Sequence, residues 1–136
     1  EAAEMAQEEG MDLALEYHRG TATQTVSGAL ELLKEIRACN VSCYWQPNPE
    51  LTKEEHLAEI DALLPFLSNI HVFSWTKESL RLPLAAGKDC WLSYLNRIRE
   101  GGKNRALILE FVKDDSPEQF RADAKSLKEW AARLGL

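Results

Sequence analysis

Residues 41–55 read VSCYWQPNPELTKEE, and the fold class follows from their order. Val41 to Trp45 is a β-prone stretch. Gln46-Pro47-Asn48-Pro49 is a loop that neither a helix nor a central strand tolerates, because proline lacks an N–H and fixes its own φ. Thr52-Lys53-Glu54-Glu55 is a capping box that opens a helix running to Leu64.

The same strand, loop and helix pattern recurs on both sides of this stretch. Upstream, helix formers from Glu1 to Glu9 stop at Gly10, Met11 to Tyr17 reads as a strand, and His18 to Thr25 as a loop. A helical period then carries Val26, Ala29, Leu30, Leu33 and Ile36, with Thr25 or Ser27 as N-cap. Downstream, Asn69 to Phe73 is a third strand, followed by a long loop with Pro83 and Gly87. An amphipathic helix from about Asp89 to Glu100 follows, with Trp91, Leu92, Leu95 and Ile98 inward, and Gly101-Gly102 ends it. Arg105 to Val112 is the fourth strand. Ser116, Pro117 and Gln119 supply the cap, first-turn proline and capping-box glutamine of a helix to Leu134, stopped by Gly135.

Apolar strands alternating with amphipathic helices call for right-handed βαβ units and a parallel sheet, so the class is α/β. The strand-to-strand spacing, roughly 25 to 40 residues, is near that of an eight-stranded (β/α) barrel of about 250 residues. Four units make a (βα)4 half-barrel, and residues 1–136 are expected to form a single domain. Half a barrel leaves two edges unpaired and the inward strand faces uncovered. Completion by a missing N-terminal half or by self-association is therefore expected. The opening on Glu1, without methionine and inside a helical stretch, reads as a processed product or excised piece.

Composition narrows the function. The 136 residues carry 16 basic against 22 acidic side chains, a formal charge of −6, which disfavours a nucleic-acid or anionic-membrane partner. With 45% apolar and 28% charged residues the chain can bury a core. Cys39, Cys43 and Cys90 form no CxxC pair and no disulfide framework, so a reducing cytoplasm is expected. No apolar run approaches the roughly 20 residues that span a bilayer.

Each strand ends in a residue an apolar core would not choose: Glu16, Gln46, His71 and Glu110. The carboxyl ends of parallel strands share one rim, so these side chains can converge although far apart in the chain. Any one of them alone is commonly a cap, an ion-pair partner or an interior histidine. Together, two carboxylates, an imidazole and an amide oxygen form a hard donor set suited to Mn²⁺, Mg²⁺ or Co²⁺, with zinc as a further candidate.

The runs LALEYHRGTATQT (13–25), YWQPN (44–48), NIHVFSW (69–75), RLPLAAG with Trp91 following, and LILEFVKDDSPEQF (107–120) carry a family resemblance. The chain resembles the C-terminal half of the xylose isomerase-like TIM barrels, the sugar-phosphate isomerases and epimerases. The resemblance implies that Glu16, His71 and Glu110 hold one divalent metal, and that Glu16 and Glu110 also act as acid and base on a carbohydrate substrate. Proton abstraction alpha to a carbonyl would proceed through an enediolate. Gln46 stands where the family has Asp, leaving about two formal negative charges instead of three, and Pro49 replaces a histidine found in some members.

His18 and Arg81 are candidates for holding substrate oxygens, and Trp45, Trp75 and Trp91 for walling the pocket. The apurinic endonucleases of the same superfamily need a histidine-rich three-zinc cluster, which His18, His56 and His71 do not supply. His56 falls on a helix and is expected to be exposed. The alternative is a non-catalytic sugar-binding or structural half-barrel whose metal site has decayed.

Overall fold

A computed structural model describes residues 1–136. Helix α1 (Ala2–Glu8) precedes β1 (Leu13–Leu15), α2 (Val26–Ile36), β2 (Val41–Trp45), α3 (Lys53–Leu63) and β3 (Leu67–Val72). A short hairpin, β4 (Ser74–Trp75) and β5 (Arg81–Leu82), and a 3₁₀ turn at Leu84–Gly87 lead into α4 (Lys88–Glu100). Strand β6 (Ala106–Leu109) and α5 (Pro117–Leu134) complete the chain. No helix is long and apolar enough to cross a membrane.

The helix starts follow from local chemistry. Thr25 accepts from the Gly28 N–H at the start of α2. Thr52 and Glu55 form a reciprocal capping box on α3. Ser116 caps α5 with Pro117 in the first turn, but the Gln119 side chain donates to Asp123 instead of closing a box.

Strands β1, β2, β3 and β6 form one parallel sheet in that spatial order. Sequential order without reversal is the arrangement of a barrel arc; a doubly wound sheet would reverse direction and be covered on both faces. Here one face alone is packed. Leu15, Cys43, Trp45, Ile70, Val72 and Leu109 point towards α2 to α5, whose Ala29, Leu33, Ile60, Leu63, Leu95, Ile98 and Leu127 complete the core. Alternate residues point the other way, because successive strand side chains take opposite faces. Among them Ala14, Ala106 and Ile108 are exposed. The sheet is thus a (βα)4 half-barrel with an open inner face and β1 and β6 as unpaired edges.

Three expectations need correction. Strands β1 and β6 are shorter than residues 11–17 and 105–112. The β3–β6 ladder begins at Ala106, one residue after Arg105, whose guanidinium donates to the carbonyls of Leu64, Leu67, Ile98 and Lys103 and ties together the ends of α3 and α4. Gly101 permits this packing: a Cβ there would lie 2.8 Å from Leu64 Cγ and 3.0 Å from an Arg105 nitrogen. The long loop also contains the β4–β5 hairpin. Finally, His56 is 5% exposed, not on the surface. Its Nδ1 pairs with the Tyr94 hydroxyl at 2.8 Å and its Nε2 with the Asn48 carbonyl at 2.9 Å, which satisfies both polar atoms inside the core.

Candidate metal centre

Strand alternation carries the four polar residues onto the inner face. Trp45 pairs with Ile70, so Gln46 stands beside His71; His71 pairs with Ile108, and Glu110 lies one inner-face position further along, diagonal to His71. Glu16 follows Leu15, which pairs with Cys43. The Glu110 N–H extends the ladder by donating to the Val72 carbonyl at 3.1 Å. Phe111 then takes φ 51°, a left-handed conformation unusual for an aromatic residue, and turns the chain sharply away.

His71 Nδ1 is the centre of the group. It lies 3.1 Å from Gln46 Oε1, 3.2 Å from Glu110 Oε2 and 3.7 Å from Glu16 Oε1. One N–H can serve only part of this set. Gln46 meets hydrogen-bond geometry, whereas Glu110 Oε2 is buried without a hydrogen-bond partner. Burial pushes the Glu110 carboxyl above its ordinary range; the neighbouring Glu16 charge adds to this, and His71 and His18 oppose it.

A dication would satisfy that oxygen. Ligand atoms of Glu16, His71 and Glu110 all lie within 4.8 Å of one another. Donors bonded to one ion at about 2.0 to 2.4 Å stand about 3 to 3.5 Å apart when adjacent and about 4 to 5 Å when opposite. The separations fit, and the orphaned buried oxygen of Glu110 is what a cation would satisfy. One imidazole nitrogen, two carboxylates and an amide oxygen form a set suited to a hard dication.

Beside this group is a cavity of about 120 Å³. Its polar lining comes from His18, Arg19, Gln24, Gln46 and Asn48, and its apolar wall from Phe73, Trp75 and Phe111. The three aromatic rings pack on one another with centroids 4.8 to 5.5 Å apart.

No family model matches the sequence, and no curated protein matches it. Solved structures do match the fold. A probable 3-DHS dehydratase, AsbF, involved in petrobactin synthesis, from Bacillus anthracis, superposes with a TM-score of 0.77 at 18% identity, covering 93% of this chain and 52% of that one. A xylose isomerase-like TIM barrel protein from Mycobacterium smegmatis, solved in complex with magnesium, superposes with a TM-score of 0.71 at 19% identity, covering 97% and 48%. The fold is that of half a xylose isomerase-like TIM barrel. The chain spans about half the length of the solved structures it matches.

Within this half-barrel the structure brings together Glu16, Gln46, His71 and Glu110, and places His18 and Trp75 on the cavity wall. It does not place Trp45 there. Trp45 has no exposed surface, since alternation opposite Gln46 turns it into the core, and Trp91 is buried likewise. Arg81 is also diverted. It donates to Asp115 at 2.6 Å and to the Val112 carbonyl at 3.3 Å, and lies over the Phe111 ring, because the hairpin sets it against the β6–α5 turn. Sequence reasoning missed Arg19, Gln24, Asn48, Phe73 and Phe111. For the two phenylalanines a signal existed, since they stand two residues past His71 and one past Glu110.

Proposed function

We propose that this half-barrel is the C-terminal half of a divalent-metal sugar or sugar-phosphate isomerase or epimerase that removes a proton alpha to a carbonyl. The observation that carries the reading is the convergence of Glu16, His71 and Glu110 within 4.8 Å on one strand rim. The buried, unpartnered Glu110 Oε2 is the atom that asks for a cation. Glu16, His71 and Glu110, with the Gln46 amide oxygen, would hold Mn²⁺, Mg²⁺ or Co²⁺, or zinc. Such an ion, when bound, makes the C–H beside a carbonyl more acidic by polarising the carbonyl oxygen.

The chain's own residues supply the rest. One of Glu16 and Glu110 takes the proton and the other returns one: on the opposite face of the same carbon this gives an epimer, at the neighbouring carbon an isomer. His71 Nδ1, standing between the two carboxylates, would hold the metal beside them. His18 and Trp75, with Phe73 and Phe111, form a wall suited to a ring or chain with hydroxyls on one side and C–H groups on the other. A complementary N-terminal half-barrel, or a second copy of the chain, would cover the inner face at Ala14, Ala106 and Ile108. Three unpaired cysteines agree with a cytoplasmic location.

The likeness to AsbF, a probable dehydratase, favours a second reading with the same first step. After one carboxylate takes the α-proton, the other carboxyl protonates the β-hydroxyl, which leaves as water as a double bond forms between the α and β carbons. One experiment separates the readings. The chain is incubated with Mn²⁺ in D₂O and a panel of ketoses, ketose phosphates and a cyclic β-hydroxy ketone, and mass spectrometry records deuterium gain or water loss. Exchange that chelation stops and Glu110→Gln slows by about 10²- to 10⁴-fold supports the proposal. An unaltered rate in that variant removes Glu110 from the mechanism. The isolated half is expected to be inactive, so the same assay is run on a full-length barrel that contains it; no exchange there while Mn²⁺ is held favours a non-catalytic sugar-binding or structural half-barrel.

A further inference from the structure

Glu16 and Gln46 each have a chain neighbour packed into the core, Tyr17 and Trp45, and these two share one acceptor. The Tyr17 hydroxyl donates to Glu59 Oε1 at 2.6 Å, and Trp45 Nε1–H donates to Glu59 Oε2 at 3.1 Å. Tyr17 and Trp45 are both buried, and Glu59 sits on α3 behind the sheet. We infer that Glu59 is a positioning residue: its single carboxylate fixes the directions of Glu16 and Gln46 towards His71 from the far side of the sheet. The inference rests on reading those two side chains as metal ligands.

The argument is one of strand geometry. Adjacent residues point to opposite faces, so a twist of the backbone that swings one side chain swings its neighbour the other way. Both ligands sit where the ladder ends. Strand β1 stops at Leu15, one residue before Glu16, and β2 stops at Trp45, one residue before Gln46. The residue after Gln46 is Pro47, which has no N–H to continue the ladder. The Glu16 carbonyl is held by the Thr23 hydroxyl, and the outward anchor for both strand ends is Glu59. A carboxylate suits two donors because both its oxygens accept; an amide would oppose its own N–H to one of them. The charge also strengthens both bonds. Neighbouring groups that orient metal ligands in this way change metal affinity about 10- to 100-fold when removed.

The test is Mn²⁺ binding measured by electron paramagnetic resonance on the wild-type chain, Glu59→Gln, Tyr17→Phe and Asp123→Asn. Asp123 accepts from the Leu84 N–H and from Gln119, and touches none of the four site residues, so its variant reports lost stability alone. Glu59→Gln should bind Mn²⁺ about tenfold or more weakly. Tyr17→Phe, which loses one of the two anchors, should be affected less, and Asp123→Asn not at all. Wild-type affinity in a folded Glu59→Gln overturns the inference and leaves the metal reading standing.

A metal-free crystal structure of Glu59→Gln tests positioning independently. Glu16 or Gln46 should move about 1 Å or more from its place beside His71 Nδ1; unchanged distances overturn the inference. If the wild type binds no Mn²⁺ the metal reading fails, and the metal-free structure still decides for or against positioning. If Glu59→Gln does not fold, Tyr17→Phe serves for both measurements, with a displaced Glu16 expected and an unmoved one contrary.

Discussion

Replacing Gln46 by Glu changes one NH₂ into an oxygen and adds one negative charge without altering length. Gln46 Oε1 lies 3.1 Å from His71 Nδ1, and the two carboxylates lie 3.2 and 3.7 Å from the same atom. The new charge joins two others grouped around that atom; for a separation of about 5 Å at an effective dielectric of 20, repulsion is about 3 kcal/mol per pair before protonation and solvent relieve it. With that relief, the metal-free variant should be about 1 to 2 kcal/mol less stable than the wild type. The same charge about 4 Å from a dication gains about 8 kcal/mol gross. Desolvation removes most of this. A surplus of about 1.4 to 2.8 kcal/mol corresponds to a tenfold to hundredfold tighter site. Urea unfolding without metal and Mn²⁺ titration by calorimetry read the two effects. Opposite signs, less stable when empty and tighter when loaded, are the expected signature. Unchanged or weaker Mn²⁺ binding would show that the Gln46 oxygen does not face the cation, and would refute the reasoning.

Other expectations concern the scaffold. Burial holds the His56 imidazole below its ordinary pKa of 6.5, against the opposing pull of the Asn48 carbonyl, Glu59 and Glu55. The unfolded chain then binds more protons than the folded one just below that pH, so the contribution of His56 is complete above about pH 6.5 and falls on acidification. Melting temperatures between pH 8 and pH 5 should fall less steeply in His56→Gln, and equal slopes would contradict this. Arg105→Ala leaves the ends of α3 and α4 without their shared donor and should cost about 3 kcal/mol in urea unfolding; a loss under about 0.5 kcal/mol would show that water replaces it. Ile108, 39% exposed on the inner face, makes little core contact. Ile108→Lys should change folding stability by less than about 0.5 kcal/mol, while abolishing any self-association that sedimentation detects in the wild type. Persistence of that association would place the interface elsewhere.

The parts of this fold that could be read from the chain are those with a local chemical cause. Thr52 and Glu55, Ser116 and Pro117, and the left-handed Gly135 mark helix ends through hydrogen bonds within one turn. Glu16, Gln46, His71 and Glu110 stood out because each interrupts or ends an apolar run, and parallel topology gave them a common rim. Features set by distant partners were not legible. Two-residue strands such as Ser74–Trp75 and Arg81–Leu82 leave no periodicity. Arg105 looked like a strand start because its acceptors lie in other elements. His56 looked exposed on a helix with many charges, but Tyr94 and Asn48, brought close by packing, satisfy its ring. Trp45 is a different case: strict alternation from Gln46 turns it away from the cavity. Glu59 had no local signal, since its two donors come from separate strands.

The central claim is that Glu16, Gln46, His71 and Glu110 surround one dication. Anomalous diffraction from crystals grown with Mn²⁺ tests it most directly. One ion bonded to Glu16, His71 Nδ1 and Glu110 at about 2.0 to 2.4 Å, with the Gln46 amide oxygen turned towards it, is the expected result. An ion bound at other residues, or none at millimolar Mn²⁺ while the four side chains keep their places, would contradict it.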